Sequence, residues 1–288
     1  MSSTGQQQTG QGQAHGVGRT GHAKGLSRKV LLSGLIKGLQ LAMGVGASLL
    51  LARWLGAAGY GAYSFALALA TLLAIPAQLG WPTLLTREVA RAQHDRDLGR
   101  LRGVLRTSAR WTFASSWALV LIGLVLAAWV AARGNGQDKV ALLVGCALIP
   151  PAAWIGLRAA ALRGMDRVLV AQVLDGVLRP MLFLLLLVGV FAWGRLSPGL
   201  AMIAQVVAVL ASVAFGSIVL ARALPNGLQA VAPDVSDAPA WRRSLWPLMF
   251  VSAAQIVTSQ ADLLVLGLIS DTRTVGIYKV AVMVGTQV

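Results

Sequence analysis

Residues 168–193 read VLVAQVLDGVLRPMLFLLLLVGVFAW, a run of 26 residues in which only Asp175 and Arg179 are charged. A helix of this length rises ~39 Å at about 1.5 Å per residue, which is more than the ~30 Å thickness of the hydrocarbon core of a bilayer. Stretches of the same character lie at 30–52, 62–85, 111–132, 140–161, 198–221 and 245–269. Because a helix satisfies its own backbone hydrogen bonds in lipid, the sequence predicts an all-α polytopic membrane protein.

The basic residues are concentrated on alternate connections between these spans. If the N-terminus is cytoplasmic, most of the lysines and arginines lie on the cytoplasmic side. The opposite side holds only Arg53, Arg133, Lys139, Arg195 and Arg273. The positive-inside rule therefore predicts a cytoplasmic N-terminus. A net charge of +15 in a soluble protein would point to nucleic acid. Here we interpret it as an orientation signal that also contacts anionic membrane lipids, and we expect no nucleic-acid partner.

The predicted organisation along the chain has four parts. Residues 1–27 are rich in Gly, Gln and Ser and are expected to form a disordered cytoplasmic tail. Residues 28–223 form a first transmembrane lobe of six spans. Residues 224–244 form a cytoplasmic linker, and 245–288 form the start of a second lobe.

An internal repeat supports the division into two lobes. LARWLGAAGYGAY at 51–63 and LGLISDTRTVGIY at 266–278 each carry a Gly-x-Tyr after a short outer turn, at 61–63 and 276–278. Six spans intervene, so the two copies have the same orientation in the membrane and predict parallel lobes. A second lobe should then also have about six spans. Because 275–288 would rise only ~21 Å, we expect the second lobe to be truncated.

The long connection at 86–110 carries arginines at helical spacing. Leu98, Leu101 and Leu105 form an apolar strip beside them. The pattern predicts an amphipathic helix lying on the inner leaflet. A solvated basic loop is an equally compatible interpretation.

Four ionisable side chains fall well inside the predicted spans: Lys37, Asp175, Arg179 and Asp262. Each costs roughly 2.5–3.5 kcal/mol at the centre of a membrane helix, so such residues usually face a cavity or a partner. Arg179 lies ~16 Å into its span, near the midplane. Polar residues at helical spacing extend each charge into a stripe, which predicts a wet interior shared by both lobes.

Structural explanations for these charges stay open. Asp175 and Arg179 are four residues apart and would neutralise each other on a regular helix. Lys37 could reach the interface on its long stem, and Asp262 could cap or hydrogen-bond a neighbouring helix. The stretch GLIKG at 34–38 fits the small-xxx-small pattern of helix contacts.

Three segments carry a family resemblance. They are LLLARWLGAAGYGAYSFA at 49–66, LGWPTLLTREVA at 79–90, and ADLLVLG at 261–267 followed by VGIY at 275–278. Together they resemble the bacterial O-antigen and teichoic-acid flippases of the multidrug/oligosaccharidyl-lipid/polysaccharide exporter superfamily. The likeness runs over about 28–288.

The resemblance implies transport of an undecaprenyl-pyrophosphate-linked oligosaccharide across the bacterial inner membrane for surface polysaccharide, such as the O-antigen of lipopolysaccharide. It implies two lobes that rock around a central cavity. Burying a diphosphate requires cationic partners, and we assign Arg179 and Lys37 to that role. Asp262 and Asp175 are the candidates for a coupling cation or proton. No cofactor or metal is expected.

Other classes of protein stay open. DRDLGR at 95–100 is similar to the D-R-x-G-R motif of major-facilitator transporters, with one residue too many. A drug exporter of the same superfamily and an inactive truncated remnant are further alternatives. A polytopic enzyme, such as an O-antigen ligase or polymerase, would need a large outer loop with catalytic groups. The outer loops are short, and His15, His22 and His94 lie on the inner side, so we expect no enzyme.

Overall fold

The computed structural model describes residues 17–132, 139–192, 194, 196–269 and 272–285. The regular elements in these ranges are helices. They are α1 (Val17–Ala77), α2 (Trp81–His94), α3 (Leu98–Ala132), α4 (Lys139–Ala147), α5 (Ile149–Gly164), α6 (Val168–Val173), a π-helical turn (Leu174–Leu178), α7 (Arg179–Ala192), α8 (Pro198–Ala223), α9 (Ala238–Ile269) and α10 (Thr272–Gly285).

Five helices among the described residues are long and apolar enough to cross a membrane: Leu31–Ala77, Leu98–Ala132, Lys139–Gly164, Val168–Ala192 and Pro198–Ala223. The first of them covers most of the first two predicted spans, up to Ala77. The chain is therefore an all-α multi-pass membrane protein, as predicted. Of the predicted tail, 1–16 lies outside the described residues and α1 covers 17–27.

The first helix, α1, turns back on itself at Gly56. This residue has φ 69° and ψ 175°, a conformation that side-chain-bearing residues rarely adopt. Ser33, before the turn, donates a hydrogen bond to Gln172 at 2.9 Å. Gln78, after the turn, lines a cavity together with Asp175. Ser33 and Gln78 thus lie beside the same part of the fifth span, residues 172–175, although 45 residues separate them. The two halves of α1 therefore run antiparallel. The break falls at the predicted first outer connection.

The second predicted span, 62–85, is interrupted. A turn at 78–80 separates α1 from α2, with Leu79 at φ 49° and Gly80 at φ 74°. Helix α9 crosses at this turn, and a Cβ added at Gly80 would lie 2.8 Å from the Cβ of Leu248. The positive φ and the close crossing of α9 both require glycine at position 80. Together they end α1, although hydropathy alone predicts that the helix continues to residue 85.

The predicted surface helix at 86–110 is wrong, and so is the solvated loop. Helix α2 continues to His94 and α3 begins at Leu98. A tight turn with Arg96 at φ 54° joins them. Leu101 is only 1% exposed, so the apolar strip packs inside the protein. We call this region, where α2 ends and α3 begins, the arginine-rich end.

Pro180 gives the fifth span its local irregularity. Proline has no backbone N–H, so the carbonyl four residues earlier, at Gly176, loses its usual donor. The chain widens into the π-helical turn Leu174–Leu178, which carries Asp175 and is followed at once by Arg179. Single π turns of this kind are frequent at functional sites. Here the turn coincides with two of the predicted site residues.

The two copies of the internal repeat meet in the structure. A Cβ at Gly276 of α10 would overlap the carbonyl oxygen of Ala57, and it would lie 3.2 Å from the backbone nitrogen of Gly61. Phe65 fills the space beside Gly267 in the same way. Glycine at these positions therefore lets the start of the predicted second lobe pack directly on the first.

Candidate functional site

Arg179 lies at the junction of two cavities. One has a volume of about 260 Å³ and includes Asp175, and we call it the Asp175 cavity. The other has a volume of about 310 Å³ and includes Lys279, and we call it the Lys279 cavity. Four residues line both: Leu67, Thr71, Arg179 and Gln205. These shared residues form the partition between the cavities.

The Asp175 cavity reaches toward the arginine-rich end. Arg163, from the last turn of α5, and Gln78, from the turn after α1, contribute polar groups to it. With Arg163 and Arg179 against Asp175, its ionisable lining sums to one positive charge. The side chain of Gln78 packs against the backbone of Gly156, since a Cβ there would lie 2.8 Å from the Oε1 of Gln78. The cavity is therefore narrow between these two residues.

The Lys279 cavity lies on the other side of Arg179. Ser48, Ser64 and Tyr63 supply hydroxyl groups, and Lys279 comes from α10. No carboxylate is among the described residues that line it, so Arg179 and Lys279 give it two positive charges. A chamber with two cations and hydroxyl donors is complementary to a multiply charged anion.

The wall between the cavities is held by a polar contact. Tyr63, in the second half of α1, donates to the Oε1 of Gln205 in α8 at 3.4 Å, which is a long hydrogen bond. The Tyr63 ring also lies parallel to the ring of Phe183 with centroids 6.2 Å apart. Gln205 is only 4% exposed. Three helices thus fix the position of the partition beside Arg179.

Asp175 and Arg179 do not neutralise each other through an ion pair. None of the ion pairs within 4.0 Å among the described residues joins them. The π turn between them explains this, because it adds a residue to the turn and changes which side chains stack. The side chains remain close enough to line one cavity, and that leaves Arg179 available to a ligand.

The other predicted site residues have different positions. Lys37 is exposed and lines neither the Asp175 cavity nor the Lys279 cavity, although its neighbour Gln40 contacts Gly176. The side chain of Asp262 lies outside the described residues, and so do the other polar side chains predicted on its stripe. Among the described residues, nothing lies within 4 Å of a Cβ placed at either glycine of 34–38, so the helix contact predicted there stays a prediction.

Sequence reasoning missed three residues of this site. Lys279 lies in the segment set aside as too short to cross the membrane. Arg163 is one of the cytoplasmic basic residues that the sequence explains by orientation alone. Gln205, in the middle of the sixth span, gave no signal because a single amide in an apolar run is common. The described ranges hold no cluster of three or more His, Cys, Asp or Glu side chains that could bind a metal ion.

The comparison with known families agrees with this architecture. Residues 26–288 match the family model described as polysaccharide biosynthesis protein. The chain belongs to this family. Its members are transporter-like membrane proteins, and the cationic cavities are consistent with a transporter. No curated protein and no solved structure matches the chain.

Proposed function

We propose that this member of the polysaccharide biosynthesis protein family is a flippase. Its substrate is an undecaprenyl-pyrophosphate-linked oligosaccharide, which it moves across the bacterial inner membrane by alternating access for surface polysaccharide such as O-antigen. The observation that carries the proposal is the position of Arg179 between two cavities whose combined charge is positive. The N-terminus and the arginine-rich end face the cytoplasm.

The charge of the site supports an anionic head group. Arg163, Arg179 and Lys279 face a single carboxylate, Asp175, across the two cavities. A diphosphate in a low-dielectric interior needs such partners, because an unpaired buried charge is prohibitively costly. A guanidinium presents several donors in a planar fork that matches phosphate oxygens. Arg179 therefore takes the diphosphate, and Lys279 joins it on one side.

The arrangement also offers a path. A head group that enters the Asp175 cavity meets Arg163 and Arg179, and one that leaves through the Lys279 cavity meets Arg179 and Lys279. Arg179 stays a partner throughout, so the charge is never unpaired. Lys37 lies exposed on α1 and attracts both the substrate and anionic lipids at the cytoplasmic surface.

The carboxylates Asp175 and Asp262 couple transport to the binding of a cation or proton. Asp175 is the acidic group in the Asp175 cavity, and its negative charge opposes entry of the anionic substrate. A cation or proton that neutralises Asp175 would remove this repulsion while Arg179 stays available to the diphosphate. Asp262 is a second candidate for this coupling role in the predicted second lobe.

The test is restoration of surface polysaccharide in a strain that lacks its own flippase. The wild-type chain, Arg179→Ala, Arg179→Lys and Arg106→Gln are compared at equal membrane abundance. Arg106 is an exposed arginine on α3 that lines neither cavity and serves as the matched control. We expect rescue by wild type and Arg106→Gln, loss in Arg179→Ala, and partial activity in Arg179→Lys, since lysine keeps the charge without the fork.

Rescue by Arg179→Ala at the wild-type level would refute the assignment of the diphosphate to Arg179. Failure of all forms despite normal insertion would count against a lipid-linked oligosaccharide as the substrate. A drug exporter would instead change the resistance of the strain to cationic compounds.

A further inference from the structure

The predicted linker lies along the first two turns of α3. The backbone N–H of Asp234 donates to the carbonyl of Gly99 at 2.9 Å. Arg102 donates to the carbonyl of Gln229 at 2.8 Å and also to that of Val231. Gly103 faces Asp234 so closely that a Cβ there would overlap the Asp234 carbonyl oxygen. The linker is thus bound by its backbone, along one face of α3.

An ion-pair network closes this contact at the start of α9. One nitrogen of Arg100, Nη2, lies 2.9 Å from the Oε2 of Glu88 in α2 and 2.9 Å from the Oδ2 of Asp237. Asp237 immediately precedes α9, and its carbonyl accepts a 3.0 Å hydrogen bond from the backbone of Trp241. Arg100 therefore joins α2, α3 and the first turn of α9.

The two carboxylates differ in their contact with water. The Glu88 side chain is 5% exposed, the Asp237 side chain is 41% exposed, and that of Arg100 is 17% exposed. Glu88 also lies 3.4 Å from Nη2 of Arg87, whose side chain is 65% exposed. Separating Glu88 from Arg100 would leave the buried carboxylate with only this longer, solvent-exposed pair, which is unfavourable. Asp237 can instead be released to solvent at little cost, because exposed ion pairs contribute little. The pair of Arg100 with Glu88 is therefore the more stable of the two, and the pair of Arg100 with Asp237 is the one that can open.

We propose that Glu88, Arg100 and Asp237 form a clamp that ties α9 to the first lobe and opens only at the bond between Arg100 and Asp237. When Asp237 leaves, Arg100 keeps Glu88 as its counter-ion, so opening creates no unpaired buried charge. The linker then peels from α3, and the first turn of α9 moves with it through Asp237 and Trp241. The clamp is a latch on the relative motion of the two lobes.

The role of the clamp in transport rests on the proposed function, whereas its existence does not. Alternating access requires the lobes to reorient, and the first helix of the second lobe is held here at the arginine-rich end. Opening of this latch lets α9 move away from α2 and α3. The clamp is therefore tested without any substrate.

Hydrogen–deuterium exchange of the full chain in lipid nanodiscs, read by mass spectrometry, distinguishes opening of the pair of Arg100 with Asp237 from opening of its pair with Glu88. Asp237→Asn removes the ion pair with Arg100 and keeps the pair of Arg100 with Glu88. Gly103→Ala pushes the linker off α3 by sterics and leaves every charge in place. Arg106→Gln removes an exposed arginine on the same helix and is the control.

We expect the linker peptide that contains Asp234 to exchange about 1.4- to fivefold faster in Asp237→Asn, the range given by an exposed ion pair, and at least as fast in Gly103→Ala. Peptides that contain Glu88 should keep the exchange rate of the wild type in both variants. Unchanged linker exchange in Asp237→Asn and Gly103→Ala would overturn the clamp. Equal acceleration around Glu88 would also overturn it, because the network would then open as one unit.

The transport role has its own readout. In the polysaccharide assay, Asp237→Asn should retain export, because the latch is weakened but every cavity residue remains. A normal exchange pattern with no export by wild type would refute the flippase and leave the clamp standing. Loss of export in Asp237→Asn alone, at normal abundance, would refute release at Asp237 as part of the cycle.

Discussion

The contact between α2 and α5 gives the sharpest test of the packing. Gly164 ends α5, and a Cβ added there would lie 2.7 Å from the Cβ of Val89 and 2.8 Å from the carbonyl oxygen of Thr86. Carbon atoms pack favourably at about 3.5–4.0 Å, so Gly164→Ala must separate the two helices locally by roughly 1 Å. Overpacking of this kind costs about 1–3 kcal/mol.

The same movement weakens a hydrogen bond between the helices. The hydroxyl of Thr86 donates to the carbonyl of Ala160 at 3.1 Å, and a shift of this size stretches it beyond hydrogen-bond range. Gly189→Ala in α7 is the matched control, because a Cβ there meets nothing within 4 Å. Alanine is the better helix former by about 0.5–1 kcal/mol, so the control should be slightly stabilised.

Equilibrium unfolding of the purified protein in mixed detergent micelles, followed by tryptophan fluorescence, measures both variants. We expect Gly164→Ala to unfold at lower denaturant and Gly189→Ala at equal or higher denaturant than wild type. Shifts of the same sign and size in the two variants would refute the close packing of α2 on α5.

Three further predictions concern other parts of the molecule. Glu88→Gln leaves Arg100 with Asp237 as its carboxylate partner and should cost about 1.5–3 kcal/mol, the range for a hydrogen bond to a charged group, in the same unfolding assay. Asp95→Asn, at an exposed and loose pair with Arg91 (3.8 Å), should change stability by less than about 1 kcal/mol. Hydrogen bonds from the backbone and side chain of Ser236 hold the pKa of Asp234 below its usual value. This contribution is therefore present above about pH 4 and lost as the pH falls through the lowered pKa, so exchange protection of the linker should decline more with acid in wild type than in Asp234→Asn. Ser197 accepts a hydrogen bond from the backbone of Leu200 at 3.2 Å at the start of α8, and Ser197→Ala should cost about 0.5–2 kcal/mol in the unfolding assay; no loss would show that water replaces the cap.

Hydropathy predicts the crossing helices well because lipid imposes a length on each of them. The sixth span, predicted at 198–221, appears as Pro198–Ala223. What hydropathy cannot show is where a continuous apolar run breaks. The turn at 78–80 exists because α9 crosses there and contacts Gly80, and that contact joins residues far apart in sequence.

The arginine-rich end shows the same limit for charged residues. Spacing alone gave 86–110 the pattern of a helix on a membrane surface. In the structure, Arg100 and Arg102 instead bind a carboxylate and two backbone carbonyls of the linker. A helical pattern specifies which side chains share a face, but it does not say whether that face meets lipid, water or another segment of the chain.

The internal repeat contained more information about the site than spacing of charges did. The two Gly-x-Tyr copies meet at Gly61 and Gly276. Ser64 follows the first glycine by three residues and Lys279 follows the second by three residues, and both line the Lys279 cavity. Two related segments that pack on each other present equivalent positions to a common space. Extending the repeat by one helical turn pairs Lys279 with Ser64 from the sequence alone. That this pair faces a cavity follows only from the packing of α10 on α1, which the sequence does not show.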